Sequence, residues 1–251
     1  MITASRTDVG RVRPVNEDRA YAQSDLNGFA LALVADGMGG HQAGDIASQM
    51  TIDLMREGME GLHSGMTPEE RAELIRYAVL ATNRKVFEFA DGRDQFQGMG
   101  TTLLVAVADP ARVTLGHVGD SRAYLCRSGR MVQLTEDHTL VNALIKSGQI
   151  TPEEAEHHPR RNMIIRALGT EATLEVDILH HEWAEGDILL LCSDGLSGLV
   201  NDRRISDILN GAGSLKEKAD QLIHSALEAG GDDNITAVLV SNEPGDSDKK
   251  R

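Results

Sequence analysis

Three short apolar runs in this chain each end on a glycine and an aspartate. Leu31 to Ala35 runs into Asp36-Gly37, Val113 to Val118 into Gly119-Asp120, and Ile188 to Cys192 into Ser193-Asp194-Gly195. Runs of that length broken by glycine read as strands entering tight turns, so each carboxylate stands at the rim of a sheet. Two further acidic turns, Glu17-Asp18 and Gly230-Gly231-Asp232-Asp233-Asn234, lie toward the two ends of the chain. Taken singly, an Asp-Gly after a strand is more often a hairpin turn than a ligand. Taken jointly, rims that converge make an oxygen-only cage whose carboxylates repel one another unless cations sit between them. The constellation therefore predicts metal, and a fold in which distant strand ends meet.

Charge supports the same reading. Against 25 Lys+Arg stand 39 Asp+Glu, a net charge of -14, so nucleic acid and anionic membrane surfaces are repelled as partners. The same field opposes a phosphate-bearing substrate, so phosphate chemistry here needs divalent cations to reverse the sign locally. The two cysteines, Cys126 and Cys192, sit in apolar, strand-like contexts and read as buried thiols of a reducing compartment rather than a disulfide framework. The N-terminus has no apolar signal-type region, and no run approaches the roughly 20 apolar residues of a membrane span. A cytoplasmic protein is expected, with residues 1 to 241 as one domain and a polar, frayed tail over 242 to 251. Nothing in the sequence signals oligomerisation, and a monomer is expected.

Along the chain, strands are expected at Ile2 to Thr7, Arg19 to Gln23 and Phe29 to Ala35. From His41 the apolar period lengthens, with Ala43, Ile46, Ala47, Met50 and Leu54 marking an amphipathic helix that stops before Gly58 to Gly61. Thr67-Pro68-Glu69-Glu70 starts a second helix, with a Thr N-cap, Pro in the first turn and acids facing the helix dipole. That helix turns Ala72, Ile75, Ala78, Val79, Val86 and Phe89 inward. Strands follow at Thr101 to Ala108, Arg112 to Val118, Arg122 to Arg127 and Met131 to Leu134, reading as an antiparallel meander. Residues 138 to 169 are polar and irregular apart from a short helix opened by Thr151-Pro152. Strands at Leu174 to Leu179 and Asp187 to Cys192, helices at Arg203 to Leu209 and Lys216 to Glu228, and a strand at Ile235 to Val240 complete the chain. Strand and helix do not alternate strictly, which argues against a doubly wound parallel sheet and for an α+β fold of antiparallel sheets covered by helices.

In chain order the motifs are Arg13-Pro14-Val15-Asn16-Glu17-Asp18, Val34-Ala35-Asp36-Gly37-Met38-Gly39-Gly40-His41, Gly100-Thr101-Thr102, His117-Val118-Gly119-Asp120-Ser121-Arg122, Leu190 to Gly195 and Gly231-Asp232-Asp233-Asn234-Ile235-Thr236. In this order they resemble the bacterial metal-dependent protein serine/threonine phosphatases of the type 2C family, over nearly the whole chain. The resemblance implies a four-layer α-β-β-α sandwich, with two central, mainly antiparallel sheets flanked by helices and a flap over about 138 to 169. It implies two Mn²⁺ or Mg²⁺ ions in a cleft at one end of the sandwich, with a third, weaker one beside them as in bacterial relatives. Asp36 would bridge the two, joined by the Gly37 carbonyl, Asp194 and Asp233. Asp18 would hold metal-bound water, Glu17 would reach an ion or its shell, and Asp120 would share a third ion with Asp194. Oxygen ligands without a His/Cys cluster suit those metals better than zinc.

By the same resemblance a metal-activated hydroxide attacks phosphorus in line while the planar guanidinium of Arg13 clamps the phosphate oxygens. Met38 stands where eukaryotic relatives carry a general-acid histidine. His41 is the alternative acid, weighed against a plain turn-closing or helix-capping role. The flap pattern includes Asp137-His138, Gly148, His158-Pro159, Arg160 and Asn162, and substrate selection is expected there, with Arg160 and Asn162 as substrate-binding candidates. The pairs His157-His158 and His180-His181 lack convincing ligand spacing and read as structural or solvent-facing. The function implied is removal of phosphate from Ser and Thr of phosphorylated proteins, opposing a bacterial Ser/Thr kinase. Two rivals stand beside it: a calcineurin-like phosphoesterase, which needs histidine ligands absent at Asp18 and Asp36, and a pseudophosphatase serving as a binding module.

Overall fold

The computed structural model describes residues 1–39 and 43–243. The first three strands, β1 (Ile2–Asp8), β2 (Asp18–Leu26) and β3 (Phe29–Met38), are followed by α1 (Ala43–Gly58) and α2 (Pro68–Ala90). A short β4 (Gly100–Thr101) precedes β5 (Leu103–Ala108), β6 (Arg112–Val118), β7 (Arg122–Arg127) and β8 (Arg130–Gln133). Then come α3 (Leu140–Lys146), α4 (Pro152–Glu156), β9 (Asp177–Glu182), β10 (Ile188–Cys192), α5 (Asp194–Ser197), α6 (Asp202–Asn210), α7 (Leu215–Glu228) and β11 (Ile235–Ser241). One sheet runs β1-β11-β10-β7-β8, the other β2-β3-β5-β6-β9 with β4 beside β3. Every ladder is antiparallel.

The layering follows from strands that are apolar on both faces. In β3, Ala30, Ala32 and Val34 turn toward the other sheet and meet Leu189, Leu191, Val238 and Val240. Leu31, Leu33 and Ala35 turn the other way, into a core shared with α1 and α2. Strand β10 repeats the pattern, with Leu190 and Cys192 buried against α6 and α7. Side chains alternate across a strand, so a strand buried on both faces needs a layer on each side. The result is helices, sheet, sheet, helices, as the expected α-β-β-α sandwich requires. Both cysteines are free and buried. No helix among the described residues is long and apolar enough to cross a membrane.

Capping sets the helix starts. Thr67 and Glu70 form a reciprocal capping box at α2, as Ser214 and Glu217 do at α7 and Thr151 and Glu154 at α4.

The structure departs from the sequence expectations in several places. The stretch from 101 to 134 is no single meander: β5 and β6 pair in one sheet, and the chain crosses at Gly119 to form the β7–β8 hairpin of the other. The expected strand from Thr101 is interrupted at Thr102, whose Oγ1 accepts from the Asp36 N–H at 3.0 Å and lies 2.8 Å from Ser121 Oγ. Strand β9 begins at Asp177 rather than Leu174, because its register is set by β6 through the pair His117 and Asp177. Within 138 to 169, α3 was unforeseen; Thr139 caps it, its side chain accepting from Asn142 N. Asn242, expected in a frayed tail, is tied down by donating to Pro110 O at 2.9 Å and Asp187 O at 3.0 Å.

Candidate metal centre

The hairpin of β2 and β3 turns at Asn27-Gly28, both with positive φ, and its register sets Asp18 directly opposite Asp36. Asp36 continues the inter-sheet row Ala30, Ala32, Val34 to the end of the sandwich, so its carboxylate emerges where the two sheets part. Its backbone is clamped on both sides: Thr102 N and Thr101 Oγ1 each donate to the Asp36 carbonyl at 2.8 Å. From the other sheet, Asp194 opens α5 straight after β10, and Asp233 leads into β11. The two meet closely at Gly195, where a Cβ would stand 2.0 Å from the Asn234 carbonyl oxygen. Gly119, at φ +107, turns Asp120 in from the β6 end.

These groups line one cleft of about 480 Å³, bounded by Arg13, Glu17, Asp36, Gly37, Asp120, Asn162, Asp194 and Asp233, together with Val15, Ile164 and others. Asp18 lies just beneath its floor, 1% exposed. Arg160 is exposed on the turn before Asn162 and is not part of the cleft lining. His41 lies outside the described residues. Arg13 reaches in from the Val9–Glu17 loop, and its Nη2 donates to Asp233 Oδ2 at 2.8 Å.

The electrostatics are those of crowded anions. Burial, then the charges of Asp18, Asp194, Asp120 and Asp233, holds Asp36 well above the usual carboxylate range. Asp18 is pushed up to about 7, chiefly by burial and against hydrogen bonds from Ser193 and Thr236. Asp120 is likewise pushed up to about 7, by burial and then by Asp194. Asp194 rises through burial and Asp233, and Glu17 through burial opposed by Arg13. Three buried oxygens, Glu17 Oε1, Asp18 Oδ1 and Asp120 Oδ1, have no hydrogen-bond partner. Buried carboxylate oxygens left unpaired carry a desolvation cost that a cation would relieve. A hard donor set of this kind fits Mg²⁺ or Mn²⁺.

A second group has donor atoms within 4.8 Å of one another: His117, His138 and Asp177. Its hydrogen bonds argue against a metal there. His138 Nδ1 accepts the Gly119 N–H at 3.0 Å, and its Nε2 lies 3.2 Å from Asp177 Oδ2. The Arg166 guanidinium already stands in the place of a cation, its Nη1 3.0 Å from His138 Nε2 and 2.7 Å from Asp177 Oδ1. His117 stacks on His138 at 4.7 Å between ring centroids and is pushed down to about 3 by burial, hence neutral. The group is a brace between β6, β9 and the segment after β8.

Sequence reasoning assigned no role to two residues that build the site. Ser193 Oγ donates to Asp18 Oδ2 at 2.7 Å and accepts from Thr236 N at 3.0 Å, joining the two sheets under the cluster. Asn234 knots the rim: its Oδ1 accepts from Glu17 N at 2.7 Å, and its Nδ2 donates to Val9 O and Val15 O. Their only signal was position, beside Asp194 and Asp233. Of the paired histidines, His158 Nδ1 accepts from Arg160 N within its own turn, and His180 and His181 lie on β9.

Comparison with known proteins gives one consistent neighbourhood. The family Protein phosphatase 2C matches residues 11–239. The serine/threonine phosphatase stp of Listeria welshimeri is 42% identical over 235 residues, 94% of this chain and 93% of that protein. The crystal structure of the Mycobacterium tuberculosis serine/threonine phosphatase PstP/Ppp superposes with TM-score 0.87 at 40% identity, covering 97% of this chain and 99% of that one. A structure of the PstP catalytic domain in complex with two manganese ions superposes with TM-score 0.81 at 38% identity, covering 96% and 97%.

Proposed function

The chain belongs to the protein phosphatase 2C family, and from that premise we infer that it is a metal-dependent phosphatase removing phosphate from serine and threonine side chains of phosphorylated proteins. The observation that carries the reading is the convergence of Glu17, Asp36, Asp120, Asp194 and Asp233 on one cleft over the buried Asp18, with an unpaired buried oxygen on each of Glu17, Asp18 and Asp120. A pair of Mn²⁺ or Mg²⁺ ions bound there supplies positive charge to a phosphate and lets water act as a nucleophile near neutral pH. Asp36, Asp194, Asp233 and the Gly37 carbonyl are the residues we assign to hold that pair, with Asp120 and Asp194 available to a third ion. Asp18, gripped by Ser193, is placed to orient water at the floor, and Glu17 to complete the shell. Arg13 leaves Asp233 to hold phosphate oxygens through two parallel N–H bonds, which a lysine cannot offer. Asn162 faces the same cleft from the opposite bank and is placed to contact substrate.

In the cell the same chemistry fits an opponent of a bacterial Ser/Thr kinase, acting on the kinase and on the proteins it modifies. The purified protein is expected to release phosphate from a phosphothreonine peptide with Mn²⁺ and to stop on chelation. Replacing Asp194→Asn should cost at least about 10³-fold in kcat, since a carboxylate assigned to hold the metal pair is lost. Turnover that survives chelation would overturn the reading. A purely binding role would leave phosphate release absent in the native protein as well.

A further inference from the structure

Asp120 is 7% exposed, and its Oδ1 is buried without a hydrogen-bond partner. Its aim into the cleft is therefore set by the two residues that flank it. Ser121 is fixed on one side, its Oγ 2.8 Å from Thr102 Oγ1. Gly119 is held on the other side by His138, which takes both of its backbone polar groups. The Gly119 N–H donates to His138 Nδ1 at 3.0 Å, and the His138 N–H donates to the Gly119 carbonyl at 2.8 Å. With φ +107 and a Cβ position only 2.6 Å from Thr102 Cγ2, this turn suits glycine alone. Glycine brings no side chain to anchor the turn, so the imidazole anchors it.

The ring is itself clamped. Its Nε2 lies 3.2 Å from Asp177 Oδ2 and 3.0 Å from Arg166 Nη1, and His117 stacks on it at 4.7 Å between centroids. The His138 carbonyl accepts from Ile165 N at 2.9 Å. Asp36 takes no bond from this brace, its backbone being held by Thr101 and Thr102. Hydrogen bonds behind a carboxylate fix its orientation and so its strength as a ligand. We propose that His138 is the positioning residue for Asp120, and that through Gly119 it sets the affinity of the ion shared by Asp120 and Asp194 while leaving the pair around Asp36 unaffected. This rests on the metal-dependent phosphatase reading above and gives a part to a residue for which that reading has none.

The test counts Mn²⁺ bound to the whole protein by calorimetric titration, with free Mn²⁺ read by electron paramagnetic resonance. The native chain is expected to show a tight class, the pair, and a weaker class that Asp120→Asn removes. His138→Gln extends its amide toward Asp177 and offers no acceptor at the Nδ1 place. The weaker class should then bind about 10- to 100-fold less tightly, the range for a lost support behind a ligand, with the tight class within about twofold. His138→Asn carries Oδ1 at the Nδ1 place, where it can take the Gly119 N–H, and should bind the weaker class within about threefold of native. Asp177→Asn, which loosens the ring without touching His138, should weaken the same class and not the other. In the Asp120→Asn background no His138 variant should change Mn²⁺ binding further, since the carboxylate it aims is gone. Asn and Gln behaving alike at position 138, a loss shared equally by both classes, or a native chain whose binding Asp120→Asn leaves unaltered would each overturn the proposal while leaving the phosphatase reading intact. A native chain that binds no Mn²⁺ would overturn both.

Discussion

Ser193 bonds at once to the carboxylate of one sheet and the backbone of the other, through Asp18 Oδ2 and Thr236 N. A hydroxyl donating to a buried carboxylate favours the charged form, which is the form that binds metal. In Ser193→Ala, Asp18 loses that donor, and about 1.5–3 kcal/mol of support for the anion goes with it. Apparent Mn²⁺ affinity, read by calorimetric titration, should fall about 10- to 100-fold, with kcat largely recovered at saturating metal. An unchanged affinity would mean that Asp18 does not serve the ions. Arg13→Lys probes the other end of the cleft: kcat/KM should fall about 10-fold or more, since a point charge replaces a planar fork, while Mn²⁺ affinity holds. At this scale the acids were legible and their supports were not. Asp36, Asp120 and Asp194 announce themselves by chemical type at the ends of apolar runs. Ser193, Asn234 and His138 act by donating to or accepting from groups far along the chain, and that is fixed only by register between β10, β11, β6 and their neighbours.

Between elements, the decisive contact is the start of α1 against the end of β3. A Cβ on Gly37 would lie 2.1 Å from the Gly44 carbonyl oxygen and 2.7 Å from the Glu17 carbonyl oxygen, so the helix approaches this closely only because residue 37 has no side chain. Gly37→Ala should therefore force α1 away from β3, costing about 1–3 kcal/mol in denaturant unfolding. It should also weaken Mn²⁺ binding, because the Gly37 carbonyl and Glu17 shift together. Unfolding at the native midpoint with native metal affinity would contradict this account. The long helix α2 was readable here from its Thr67-Pro68 start, which the structure shows as a capping box. The short α3 was not, because one cap and a few apolar residues inside a polar stretch give too little period to register. The crossing at Gly119 was invisible for a different reason: a tight turn between two strands looks the same whether it closes a hairpin or hands the chain to another sheet.

For the whole molecule, antiparallel sheets covered by helices were legible from the order of strands and helices, and the four layers came only with the family resemblance; the structure supplies the reason, since β3 and β11 are buried on both faces and demand a sheet on one side and helices on the other. That architecture gathers like charges at one end, and the consequence is a linkage between pH, metal and stability. Asp18 and Asp120 ionise near 3.8 when unfolded but near 7 in the metal-free fold. Between those values the folded state binds more protons than the unfolded one, so stability falls as pH rises. Below about 4 their effect is fully favourable to folding; above about 7 it is lost. With chelator present, the thermal midpoint should thus be higher at pH 5.5 than at pH 7.5. Saturating Mn²⁺ binds only the folded chain and favours the ionised carboxylates, so it should raise the midpoint more at pH 7.5 than at pH 5.5 and flatten or reverse the trend. Scanning calorimetry at both pH values, with and without Mn²⁺, reads all four midpoints. A chelated protein that gains stability steadily from pH 5.5 to 7.5 would show that the carboxylates do not crowd as the two converging sheets require.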